Sequence, residues 1–267
     1  LFQAITGVQT SPAQEEAQPE NDYLAHLPLK PERYAPGALP PEPFVGIHYF
    51  TERHAPLFFG RDLEISKLYD AICRYNLVVL YGASGVGKSS LLHAGLFPRL
   101  EDAGWHTVYY RRRKPQPYAE TLEAAIAAIA GLPGNKLILL DQVEEMFSDP
   151  MHEHPEEAEP FARQLGLLLK NKPQQLHVVL GFREDYYVRT EEALQKGGVV
   201  WGKSQQFFLD RLSRPGILQA INGVKKTELY NRYQLVWADG LPQVIADDML
   251  HDRNTSHTAP MLQVQLR

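Results

Sequence analysis

The sequence holds one cysteine, Cys73, so a disulfide framework and a cysteine-clustered metal site are both excluded. No apolar run approaches the roughly 20 residues needed to cross a bilayer, and the N-terminus lacks the basic start, apolar stretch and small-residue cleavage site of a signal peptide. A basic excess is missing too. Against 27 Lys and Arg stand 32 Asp and Glu, a net charge of −5, which disfavours binding nucleic acid through its phosphates alone. These absences predict a cytoplasmic protein without membrane or nucleic-acid partners. What remains is ordinary globular composition: 267 residues, 44% hydrophobic and 22% charged, enough for one large domain or two small ones. The chain begins with Leu1 rather than Met and stops at Arg267 in an apolar stretch, which reads as a piece of something longer.

Residues 1–44 differ in texture from the rest. Gln, Glu, Ala and Pro dominate Ser11–Asp22, and Pro28, Pro31, Pro36, Pro40, Pro41 and Pro43 follow. Each proline removes a backbone donor and fixes φ, so neither helix nor sheet propagates, and the stretch is expected to be a linker from an upstream domain. Beyond it, apolar runs of strand length alternate with helical patterns. Leu77–Tyr81, His106–Tyr110, Leu137–Leu140, His177–Phe182 and Gln206–Leu209 are strand candidates. Ile65–Tyr75, Ser89–Leu100, Ala119–Ala130 and Phe161–Lys170 are helix-prone. That alternation predicts an α/β fold with a parallel sheet covered on both faces, spanning 45–212. After Leu212 the strands stop; Pro215–Asn222, Thr227–Tyr233 and Leu241–Leu250 read as short helices of a subdomain over 213–267.

Three segments carry chemistry. Directly after the first strand comes Gly82-Ala-Ser84-Gly85-Val86-Gly87-Lys88-Ser89, the G-x-x-x-x-G-K-[ST] phosphate loop in the strand–turn–helix setting it requires. Its glycines let consecutive backbone N–H groups converge on phosphate oxygens at a helix start. Lys88 supplies a cation to the β- and γ-phosphates, the Ser89 hydroxyl is a hard ligand for Mg²⁺, and Ser90 is placed to reach the α-phosphate. Leu137-Ile-Leu-Leu-Asp141 then delivers a carboxylate at the C-terminal end of a buried strand, where ligands sit in open α/β sheets. Asp141 is expected to orient the Mg²⁺ shell; a helix N-cap is the plainer alternative. Of Glu144 and Glu145, one could polarise an attacking water, or both could form a solvated acidic turn. His177-Val-Val-Leu-Gly-Phe-Arg183 ends a third strand in a cation able to reach a γ-phosphate, or to pair with Glu184 or Asp185. The basic run Arg111–Lys114 reads as a solvated loop.

Together these segments resemble the STAND class of P-loop NTPases, related to NACHT and NB-ARC domains, and within it the bacterial "novel STAND" branch. The resemblance rests on PLFFGRDLE (56–64), GASGVGKSSLLHAGLFPRL (82–100), LILLDQVEEMF (137–147) and FFLDRLSRPGILQAI with APMLQVQL, and covers the chain from about Tyr49 onward. It implies a three-layer core with strand order 5-1-4-3-2, followed by a helical subdomain and binding ATP or ADP with Mg²⁺. It further implies Phe59 and Arg61 in an adenine pocket, Arg183 as a sensor of the γ-phosphate, and Pro260, or in rivalry Pro242, near the base. Functionally it implies a switch in which ATP replaces ADP, the protein oligomerises, and an upstream effector is activated, in bacteria against phage or toward programmed cell death. Slow hydrolysis would reset it. An AAA+-like motor and a small-molecule kinase are the rival readings on the same core.

Overall fold

Every strand candidate forms a strand, and all five run parallel. The computed structural model describes residues 23–111, 117–148, 155–171 and 175–251. The strands are β1 (Leu77–Gly82), β2 (His106–Arg111), β3 (Lys136–Asp141), β4 (Leu176–Arg183) and β5 (Gln206–Phe208). They form one sheet in the order β2-β3-β4-β1-β5, which is the 5-1-4-3-2 order implied by the family resemblance. Leu77, Val78, Val79 and Leu80 of β1 are all buried because helices cover both sides of the sheet.

Parallel neighbours need crossovers, and helices supply them. Helix α1 (Asp62–Arg74) precedes β1. Between β1 and β2 lie α2 (Lys88–Ser90), a π-helical turn (Leu91–Leu96) and α3 (Phe97–Asp102). The order continues with α4 (Tyr118–Ile129), α5 (Glu145–Ser148), α6 (Pro155–Lys170) and α7 (Tyr187–Lys196). On one face Val78, Leu80, Leu137, Leu139 and Val179 pack against α1 and the α2–α3 run. On the other Val79, Ile138, Leu140, Val178 and Leu180 pack against α4, α6 and α7. Where the π turn passes into α3, Pro98 has no N–H to give the preceding turn, and the buried Arg99 guanidinium donates to the Gly95 carbonyl at 2.7 Å and reaches the Ala94 carbonyl at 3.5 Å.

Beyond β5, α8 (Arg214–Asn222), α9 (Thr227–Tyr233) and α10 (Leu241–His251) form the helical part. Ile217 and Ile221 of α8 meet Ala246 and Met249 of α10 in a small core of their own.

Residues 23–44, the described part of the stretch read as a linker, carry one 3-10 turn (Pro31–Tyr34) in otherwise irregular backbone and lie against the domain as a strap. Leu24 and Leu27 are buried beside Ile72, Trp105 and other residues of the α1 face. The Lys30 amide and Arg33 Nε both donate to Asp102 Oδ2, at 2.8 and 2.9 Å. Further on, Leu39 and Phe44 join Val224 and Leu229 in a cluster with the helical part, and the Tyr233 hydroxyl donates to the Pro40 carbonyl at 2.7 Å. Buried apolar side chains and hydrogen bonds thus tie the strap down at both of its ends.

Candidate functional site

A cleft of about 270 Å³ opens at the C-terminal ends of β1, β3 and β4. Its floor is the loop after β1. Gly85 and Gly87 have φ of +73° and +103°, a region that side-chain-bearing residues avoid, and this curl turns the Ser84–Ser90 backbone toward the cleft. Lys88 Nζ donates to the Gly82 and Ala83 carbonyls at 2.8 and 3.0 Å, so the ammonium is folded back on its own loop. Burial lowers the Lys88 pKa, and the nearby Glu144 and Asp141 carboxylates work against that loss. An anion in the cleft would give the ammonium a better partner than two carbonyls.

Asp141, at the tip of β3, is 1% exposed and faces the loop. Its Oδ2 accepts from Ser89 Oγ at 3.3 Å, so the two candidate metal-holding oxygens are already neighbours. Gln142, next in the chain, has φ of +58°, donates its N–H to Asp141 Oδ1 at 2.9 Å, and its carbonyl accepts the Tyr118 hydroxyl at 2.5 Å. That left-handed residue turns the chain sharply enough to bring Glu144 back into the cleft. A hydroxyl and a carboxylate at this spacing suit a hard, oxygen-loving cation such as Mg²⁺. Among the described residues there is no group of three or more His, Cys, Asp or Glu that would hold a metal unaided.

The two glutamates part company. Glu144 lines the cleft at 5% exposure, and its Oε2 has no hydrogen-bond partner among the described residues. Burial pushes its pKa up to about 7, with the Asp141 charge adding to the shift while backbone amides and Lys88 oppose it. Glu145 is not part of the cleft lining: its carboxylate accepts from Arg111 of β2 at 2.9 Å. Arg183 lies on the cleft wall but forks onto Asp185 at 3.0 and 2.7 Å, the pairing the sequence had left open. Both partners are exposed, and such a pair is worth about 0–1 kcal/mol, so a phosphate could displace Asp185 at little cost.

The remaining wall is aromatic. Phe44, Tyr49 and Phe50 come from the strap and its continuation, Phe58 and Phe59 from just before α1, with Leu212 and Ala220 from the start of the helical part. The Phe59 ring carries the Lys226 ammonium 5.2 Å from its centroid. Arg61 lines the cleft, yet its guanidinium is engaged, with Nη2 donating to the Val86 carbonyl at 3.1 Å and Nη1 to Glu64 at 2.7 Å; it fixes the phosphate loop. Ser90 Oγ accepts the Phe50 N–H at 3.2 Å, which ties the strap's continuation to that loop. Pro242 is buried in the first turn of α10 and is not part of the lining. Pro260 and residues 112–114 of the basic run lie outside the described residues. The sequence reading missed Phe44 to Phe50 as cleft wall; the dense aromatic run Phe44-Val-Gly-Ile-His-Tyr-Phe50 was the available signal.

Among the described residues no helix is long and apolar enough to cross a membrane. None of the curated proteins compared with the chain matches it. Among solved structures it is similar to the ORC1 protein of Aeropyrum pernix in complex with DNA, at 15% identity and TM-score 0.48, covering 79% of this chain and 60% of that one. It is also similar to a Walker-type ATPase of Pyrococcus abyssi, at 15% identity and TM-score 0.44, covering 80% of this chain and 73% of the other. A third likeness is to domain III of the Thermotoga maritima replication initiation protein DnaA, at 12% identity and TM-score 0.43, covering 89% and 98%. The sequence model for novel STAND NTPase 1 matches residues 43–267, from the end of the strap through the whole core and the helical part, and the chain belongs to that family.

Proposed function

We propose that the cleft binds ATP and ADP with Mg²⁺ and that the chain is the nucleotide-controlled part of an oligomerisation switch. One observation carries the reading: Lys88 and Ser89 of the phosphate loop, Asp141 and Glu144 at the end of β3, and Arg183 at the tip of β4, three separate segments, line a single cleft. The loop amides and Lys88 receive the phosphates, and Ser89 and Asp141 hold the metal. Glu144, the buried carboxylate with a free oxygen, polarises the attacking water. Arg183 exchanges Asp185 for the γ-phosphate and so distinguishes ATP from ADP. The aromatic wall around Phe59 takes the adenine; no guanine-reading Asn-Lys-x-Asp motif occurs in the chain.

Such a cleft biases a two-state protein only through contacts that differ between the nucleotides, and the γ-phosphate contacts of Arg183 and Glu144 supply that difference. By family resemblance, the ATP form assembles and activates an upstream effector, in defence against phage or in programmed cell death. The test uses the full-length protein. Glu144→Gln keeps the size of the side chain, removes the base, and should lower ATP turnover about 10²–10⁴-fold while ATP binding persists. Light scattering should then find the triggered, ATP-loaded variant held in its assembled form. If the variant binds ATP normally yet neither assembles nor gives effector output, hydrolysis itself does the work, and a motor is the better account.

A further inference from the structure

Tyr109 lies in β2, one strand away from the strand that carries Asp141, and the phosphate-loop pattern assigns it nothing. Its hydroxyl nevertheless donates to Asp141 Oδ2 at 2.9 Å, the same oxygen that accepts from Ser89 at 3.3 Å. The strand register explains the reach. Tyr109 pairs with Leu139, two residues before Asp141 and on the same sheet face. On its other side the carboxylate has room only because β4 carries a glycine there: a Cβ at Gly181 would stand 2.8 Å from Asp141 Oδ1. The Tyr109 ring is itself held. The His93 ring sits edge-on at 4.3 Å between centroids and Phe97 at 6.0 Å, both from the segment in which the π turn passes into α3.

We infer that Tyr109 is a positioning residue for the divalent-cation site: its phenol holds the Asp141 carboxylate turned toward Ser89, so that both oxygens stand ready for the metal. The inference rests on the nucleotide reading above. A phenol suits this task because it donates one hydrogen bond and brings no charge. A lysine or arginine in its place would neutralise Asp141 and compete with the cation. A phenol ordinarily titrates near pH ~10, so the hydroxyl is a donor at neutral pH. Without it, Oδ2 would keep, among the described residues, the longer contact from Ser89, and the carboxylate would be free to turn.

The experiment is Tyr109→Phe, which keeps the ring against His93 and Phe97 and removes only the hydroxyl. Calorimetry would measure ATP affinity with Mg²⁺ and with chelator, beside thermal melting of the nucleotide-free protein. Loss of a hydrogen bond to a metal ligand typically costs about 10–100-fold in metal affinity. The gain in ATP affinity that Mg²⁺ confers should fall by about that factor, while metal-free ATP affinity and melting stay as in the wild type. Tyr110→Phe, on the opposite face of β2, should change none of these. An undiminished Mg²⁺ gain in Tyr109→Phe overturns the inference alone, and a lowered melting point beside an undiminished gain reduces Tyr109 to packing. A wild-type protein that binds no ATP overturns the nucleotide reading itself.

Discussion

Glu144 and Glu145 are chain neighbours held in unlike surroundings, and the difference makes a prediction. Glu145 shares a partly exposed pair with Arg111, whereas Glu144 is buried with an oxygen unpartnered among the described residues. A carboxyl whose folded-state pKa is raised from 4.5 to about 7 favours folding while it keeps its proton, and loses that contribution as pH climbs through the folded value. Glu144→Gln resembles the protonated form at every pH. Without nucleotide, variant and wild type should therefore melt together near the ordinary carboxylate range. Above about pH 7 the variant should melt higher, by a few degrees, in a thermal scan. Equal melting at about pH 8 would show that Glu144 is solvated or already paired. Turnover should follow the same group in reverse, rising with pH as the base loses its proton.

At the scale of the elements, the strap is the feature to test. A true linker would tolerate Leu27→Ala without effect. A strap with a fully buried leucine should lose about 2–5 kcal/mol, read as a lower denaturation midpoint with an unchanged slope. The core elements were legible because β1 and β3 are continuous apolar runs ending in a turn or candidate site residue, the other strands are short and largely apolar or aromatic, and parallel pairing demands the helices between. The strap was illegible because its prolines break helix and sheet patterns, while its packing involves Trp105 and Asp102, far away in the chain. Helix α7 escaped notice for another reason: only Thr190 and Leu194 are buried along it, too few to make an apolar stripe. Helix α6 begins at Pro155, before the expected Phe161, and runs through Pro160, which stands inside it. In the site, the phosphate loop and Asp141 could be read directly from the sequence. The Tyr109 contact with Asp141 could not, since it comes from the register of β2 on β3, nor could which of Glu144 and Glu145 lines the cleft, since that follows the turn at the left-handed Gln142.

Over the whole molecule, the cleft is where its parts meet. Phosphate loop, strand tips, strap and the start of the helical part each contribute to its wall, so a nucleotide would touch all of them at once. In the switch proposed above, occupancy of one site would bias how the strap and helices sit on the core. The aromatic side of the cleft predicts base selectivity as well: in competition, GTP should displace bound ADP far less effectively than ATP does. The central claim, that this cleft is a nucleotide site, turns on Lys88. Among the described residues its ammonium donates to two loop carbonyls, at 2.8 and 3.0 Å, so Lys88→Ala should leave the fold intact. Removing the fixed cation should weaken ATP and ADP by about a hundredfold or more, since hydrogen bonds to charged groups are individually worth about 1.5–3 kcal/mol. Calorimetric titration of the folded Lys88→Ala protein with Mg·ATP decides it. The account predicts no measurable heat at concentrations that saturate the wild type; native-like affinity in the variant would contradict it.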